Sequence, residues 1–161
     1  MKNKIAICPG SFDPITNGHV DIIERASKIF DKIFIAVLEN PDKESFFSLT
    51  ERLRLVKSSV SHLKNIEVES FHGLLVEYAR RVSAKAIIRG LRAVSDFEYE
   101  FQMALTNRKM DAELETIFFM TDHKYSYLSS SYVKQIAVLG GDIKDFVPPA
   151  VLKKLKGGKK Q

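Results

Sequence analysis

The 161-residue chain has one cysteine, Cys8, and no second thiol with which to close an internal bridge. A disulfide scaffold of the secreted type is thereby excluded, and a reducing compartment is the expected setting. No apolar run approaches the ~18 residues of a membrane span, so none is expected. Met1-Lys2-Asn3-Lys4 leads only into the short apolar stretch Ile5 to Cys8, too little for a signal-peptide core, and the chain reads as cytoplasmic. Three phosphate- and acyl-chemistry motifs are missing: the G-x-x-x-x-G-K-[ST] of a P-loop, the G-x-G-x-x-G of a dinucleotide fold, and the G-x-S-x-G nucleophile elbow. His62, His72 and His123 are scattered without zinc spacing, and the sequence identifies no protein metal ligand. Cys8 has no neighbouring base in sequence and reads as a packing residue rather than a nucleophile.

The net charge of +5 is not spread over the chain. Lys153, Lys154, Lys156, Lys159 and Lys160 account for the whole excess of 25 basic over 20 acidic residues. A single domain over 1–152 and a solvated basic tail over 153–161 are therefore expected, with no nucleic-acid partner. At this length folding buries roughly 68–70% of the extended-chain surface, enough for a core without staples.

Short apolar runs alternate with longer periodic stretches. Lys4 to Cys8, Lys32 to Leu38, Ile66 to Phe71, Ala86 to Arg89 and Thr116 to Met120 suit strands of a parallel sheet covered on both faces. Helical spacing runs from about Gly18, between Leu74 and Val82, and from Ser130 to Leu139, where Gly140-Gly141 stops it. Ser48-Leu49-Thr50-Glu51 and Ser95-Asp96-Phe97-Glu98 both match a capping box and open helices, and Pro148-Pro149 introduces a last short one. Such alternation predicts an α/β domain with a doubly wound, parallel, five-stranded sheet. In that architecture ligands sit outside the carboxyl ends of the strands, so the residues after each strand are the ones to inspect.

After the first strand comes Pro9-Gly10-Ser11-Phe12-Asp13-Pro14-Ile15-Thr16-Asn17-Gly18-His19, a tight path into a helix start that Thr16 or Asn17 can cap. Free N–H groups there attract anions, and His19 points from the first turn as a donor to phosphate oxygens. After the fourth strand, Ile88-Arg89-Gly90-Leu91-Arg92 sets two guanidinium forks about a glycine. Pairing of those arginines with Asp96, Glu98 or Glu100 is the structural alternative. Lys43 lies in the polar loop after the second strand and by itself reads as exposed. After the fifth strand, Tyr125 and Tyr127 could flank a base, and Ser129-Ser130-Ser131 offers hydroxyls either to phosphate or to a helix N-terminus.

These segments together resemble bacterial phosphopantetheine adenylyltransferases, nucleotidyltransferases of the H-x-G-H superfamily with a Rossmann-like fold. The match is carried by Pro9 to His19, by Ile88-Arg89-Gly90-Leu91-Arg92 running into Asp96-Phe97-Glu98-Tyr99-Glu100, and by the three serines. The resemblance implies transfer of an adenylyl group from ATP to 4′-phosphopantetheine with Mg²⁺, in homohexamers. It assigns ATP binding to Ser11, Phe12, His19, Gly90, Leu91, Arg92, Glu100 and Tyr125, Ser126, Tyr127, Leu128, Ser129, Ser130 and Ser131. Contacts to the acceptor fall to Ser11, Lys43, Leu75 and Arg89, and the transfer itself to His19, Lys43 and Arg92. Ser11 stands where threonine is common, and Tyr125 where tryptophan often does. The T-x-G-H loop does not choose the acceptor, so a related adenylyl- or cytidylyltransferase stays open, as does a non-catalytic nucleotide- or RNA-binding module.

Overall fold

A computed structural model describes residues 4–40 and 44–157. Five parallel strands, β1 (Ile5–Gly10), β2 (Lys32–Leu38), β3 (Ile66–Phe71), β4 (Ala86–Leu91) and β5 (Glu115–Met120), lie in the order β3-β2-β1-β4-β5. Six helices connect or follow them: α1 (Asn17–Ser27), α2 (Leu49–Ser59), α3 (Leu75–Arg81), α4 (Val94–Met110), α5 (Ser130–Val138) and α6 (Pro149–Gly157). The chain winds outward from β1 to β3, then returns to place β4 on the other side of β1. That reversal opens a crevice at the carboxyl ends of β1 and β4.

Side chains alternate across the pleat. Ala6, Cys8, Ile33, Ile35, Val37 and Ile88 face a core closed by Ile23 and Ala26 of α1, Leu55 and Val56 of α2, Val133 of α5 and Val151 of α6. Ile7, Phe34, Ala36 and Ile87 face the opposite layer, closed by Val76, Tyr78 and Ala79 of α3. Both faces of β1 and β2 are buried, which is why these strands read as continuous apolar runs. Cys8 is part of this core, and burial pushes its thiol up to about 11, so it is no nucleophile at neutral pH.

Several elements differ from their expected bounds. β1 and β4 each continue two residues further, because Gly10 pairs with Val37 and Leu91 with Met120. Pro9-Gly10 and Gly90-Leu91, read as loop by composition, are thus the last rungs of the central strands. The capping box at Ser48 forms as expected, with Glu51 returning a bond to the cap. Position 95 is not a cap: α4 starts at Val94, two residues earlier than a box there requires, with Ala93 as its cap and no side-chain cap bond, and Asp96 is engaged by Arg92. The basic segment from Lys153 begins inside α6, where Lys154 pairs with Glu51 at 2.6 Å and Leu155 packs on the core.

α4 is turned inside out for a single chain. Among its described side chains it buries Glu100 and Asn107, whereas Phe97, Phe101 and Leu105 are exposed on the outside and Tyr99, Met103 and Met110 are exposed along a cavity beside it. No described helix is long and apolar enough to cross a membrane.

Candidate active site

Two cavities open side by side at the crevice. The first, about 500 Å³, is lined by the loop after β1, the start of α1, the end of β4 and the start of α5. The second, about 620 Å³, runs from the same loop towards α2, α3 and the buried side of α4. Pro9, Gly10, Ser11, Arg89, Tyr99, Glu100 and Ser130 line both. Volumes of this size suit one small ligand each.

His19 sits at the first cavity for a local reason. Thr16 is the N-cap of α1, and the imidazole three residues on completes a capping box: the Thr16 N–H donates to His19 Nδ1 at 3.0 Å. A backbone N–H can only donate, so Nδ1 must accept and the ring proton sits on Nε2. Desolvation, and then the positive fields of Arg89 and Arg92, lower the His19 pKa to about 4. The ring is therefore neutral at pH 7 and presents one N–H donor. Phe12, buried and held at φ 46, lies edge-on to the imidazole with centroids 5.2 Å apart. A bulky residue in the left-handed region is strained, and the burial of Phe12 and its contact with the ring offset that cost and keep the β1 loop folded back.

The two forks are both in place and both occupied. Arg89 donates from Nε to Glu100 Oε2 at 2.8 Å, from Nη2 to Glu100 Oε1, and from Nη1 to the Pro9 carbonyl at 3.0 Å. Arg92 donates to both oxygens of Asp96, at 3.0 and 3.2 Å, and to the Leu128 carbonyl at 2.9 Å. The carboxylate pairing that the sequence left as an alternative thus coexists with a place on the cavity wall. Gly90 leaves room between them, because a Cβ there would overlap the Ile22 methyl that lines the same cavity.

Ser11, Phe12, His19, Gly90, Arg92, Glu100, Tyr125, Leu128, Ser129 and Ser130 line the first cavity. Leu91, Ser126 and Tyr127 do not line it. The Ser126 hydroxyl donates to the His123 carbonyl, and Tyr127 turns outward against Phe146. Ser129 spends its hydroxyl on the Tyr132 N–H as the cap of α5, and Ser130 donates to the Pro14 carbonyl at 2.7 Å. Ser131 lines the second cavity, as do Ser11, Leu75 and Arg89. Lys43 lies outside the described residues.

Sequence reasoning missed Asp13, Arg52 and Lys134. The buried Asp13 carboxylate accepts the N–H groups of Phe46 and Phe47, both at 2.8 Å, and pairs with Lys134 at 3.1 Å. These bonds, the two backbone N–H groups first, hold its pKa below the usual carboxylate range against the opposing, upward push of burial. Nothing local signals it, since its partners are 33 or more residues away. Arg52 had a readable signal: it occupies the apolar stripe Leu49, Arg52, Val56 of α2.

The cytidylyltransferase-like family matches residues 7–136. A phosphopantetheine adenylyltransferase from Clostridium botulinum is 58% identical over 149 residues, covering 92% of this chain and 94% of that one. Its counterpart from Heliobacterium modesticaldum is 54% identical over 151 residues, covering 94% and 90%. This chain belongs to the phosphopantetheine adenylyltransferase family. It is a nucleotidyltransferase by that membership. Two solved structures share the fold: a nicotinate-nucleotide adenylyltransferase from Vibrio parahaemolyticus, with TM-score 0.72 at 18% identity over 96% of this chain and 99% of that one, and a nicotinic acid mononucleotide adenylyltransferase from Plasmodium falciparum, with TM-score 0.73 at 14% over 98% and 97%.

Proposed function

We propose that the chain transfers the adenylyl group of ATP to 4′-phosphopantetheine, giving dephospho-coenzyme A and pyrophosphate. The observation that carries the reading is the pair of adjoining cavities with a common wall of Ser11, Arg89 and Glu100. ATP would occupy the first cavity and the acceptor the second, so that the acceptor phosphate meets the α-phosphorus at that wall. An acceptor oxygen forms a bond to phosphorus as the α–β bridging bond breaks, and pyrophosphate carries away the electron pair. The acceptor phosphate is ionised near neutral pH, so no proton needs to be removed and no covalent enzyme intermediate forms. Catalysis is then positioning and charge stabilisation.

The neutral His19 donates from Nε2 to an α-phosphate oxygen as charge grows there, and Arg92 and Lys43 spread the rest. Arg89 and Ser11 hold the acceptor, and the start of α5 meets the polyphosphate with its backbone N–H groups. Among the described residues no cluster of three His, Cys, Asp or Glu side chains could cage a metal. The Mg²⁺ expected with ATP would be held mainly by phosphate oxygens and water, supplying charge neutralisation. The outward apolar face of α4 supports assembly into a homohexamer, and a reaction that draws on ATP suits the cytoplasm.

The test is pyrophosphate release with ATP and a panel of phosphorylated acceptors. Turnover with 4′-phosphopantetheine at least ~10²-fold above nicotinamide mononucleotide is expected, a margin of about 2.7 kcal/mol. Preference for the mononucleotide would overturn the acceptor assignment.

A further inference from the structure

Five charged residues line the second cavity among those described: Asp13, Arg52, Arg89, Glu100 and Lys134. Four of them cancel in pairs, Arg89 with Glu100 and Lys134 with Asp13. Arg52 has no carboxylate partner among the described residues, although its side chain is 4% exposed. Nη1 donates to the carbonyls of Ser11, at 2.8 Å, and Leu38, at 2.9 Å, and the buried Nε has no hydrogen-bond partner. Carbonyl dipoles hold a guanidinium in place without neutralising it, and a buried charge left in that condition is costly unless an anion joins it.

We infer that Arg52 is a positioning residue that gives the described lining of the acceptor cavity its net positive charge, tuned to a phosphorylated acceptor. The inference rests on the proposed function and goes beyond it in naming what makes the second cavity select an anion. Two things follow from the geometry. By gripping the Ser11 carbonyl, Arg52 fixes the turn shared by both cavities. By remaining uncompensated in a site whose other described charges cancel, it lowers the free energy of a dianion entering there, and does nothing for a neutral ligand of the same shape.

Calorimetric titration of 4′-phosphopantetheine and of unphosphorylated pantetheine into wild type, Arg52→Lys and Arg52→Gln separates these effects. Lysine keeps the charge, and glutamine keeps two N–H donors for the carbonyls without it. Arg52→Gln should weaken the phosphorylated ligand by ~10-fold or more, the scale of one charge-assisted contact, and leave pantetheine within about twofold. Arg52→Lys should hold the phosphorylated ligand within about threefold. Equal weakening of both ligands in either variant would reduce Arg52 to a structural strut, and unchanged binding of both in Arg52→Gln would remove it from the site. Should the glutamine variant not fold, the lysine variant decides alone, because a purely geometric role predicts that it weakens both ligands alike. Wild type binding pantetheine as tightly as its phosphate ester would instead overturn the acceptor reading itself, and this inference with it.

Discussion

Substitution at His19 separates what the imidazole does for the helix from what it does for the reaction. Its two nitrogens have different tasks: Nδ1 accepts from the Thr16 N–H at 3.0 Å, and Nε2 carries the donor proton into the cavity. His19→Ala removes both. The orphaned N–H and the broken capping box should cost about 1 kcal/mol of stability. Loss of one preorganised donor to the transition state should lower kcat by ~10²–10³, or about 2.7–4 kcal/mol. Asparagine can put its carbonyl oxygen near the Nδ1 position but cannot reach as far as Nε2. His19→Asn should therefore recover most of the stability in urea titrations and none of the rate. Glutamine reaches the Nε2 position with an amide N–H, so His19→Gln should recover part of kcat while the cap stays weakened. The assay is coupled pyrophosphate release at saturating ATP and 4′-phosphopantetheine, alongside unfolding midpoints. A His19→Asn enzyme with wild-type kcat, or a His19→Ala enzyme slowed only in proportion to its unfolded fraction, would refute the division of labour.

Three more outcomes can be checked. His19 titrates near 4 when folded against an ordinary 6.5 unfolded, so between those values the unfolded chain binds the extra proton and stability falls as pH drops; the loss approaches about 3 kcal/mol at most, is complete by about pH 4, and should be smaller in His19→Asn when urea midpoints at pH 7 and 4.5 are compared. Glu100→Ala strands the Arg89 guanidinium and should cost about 3 kcal/mol, the low end for a broken buried pair because the Arg89 side chain is 31% exposed, whereas Arg89→Met combined with Glu100→Leu should unfold close to wild type by calorimetry. Phe97 and Phe101 stack on the exposed face of α4 with centroids 5.4 Å apart, and under the proposed assembly replacing both with Asp should lower the light-scattering mass towards that of a monomer; an unchanged mass would remove this face from the proposal.

The sheet was legible because its central strands are buried on both faces and so leave dense β-branched and aromatic runs. The bounds of β2 and β3 follow from that pattern alone, whereas β1 and β4 overran it because a parallel ladder tolerates Pro9-Gly10 and Gly90 at its carboxyl end. His19, Arg89 and Arg92 were legible as residues after strands, since topology gathers such positions whatever the details. Pairing of the two arginines with the acids of α4 was legible too, but not which arginine takes which acid, because the pitch of α4 sets that choice. Thr16 and His19 stand at capping-box spacing, but histidine replaces the usual Glu or Gln, so the sequence pattern does not mark the box. Asp13 was invisible since it is satisfied by backbone groups of a distant segment.

α4 puts Glu100, Met103 and Asn107 on the wall of the acceptor cavity and Phe97, Phe101 and Leu105 towards solvent. One rigid rod thereby serves as the back wall of a binding site and as the surface on which further copies of the chain would seat. Ligand recognition and subunit concentration then become linked variables, so diluting the protein should loosen the acceptor as surely as a substitution inside the pocket.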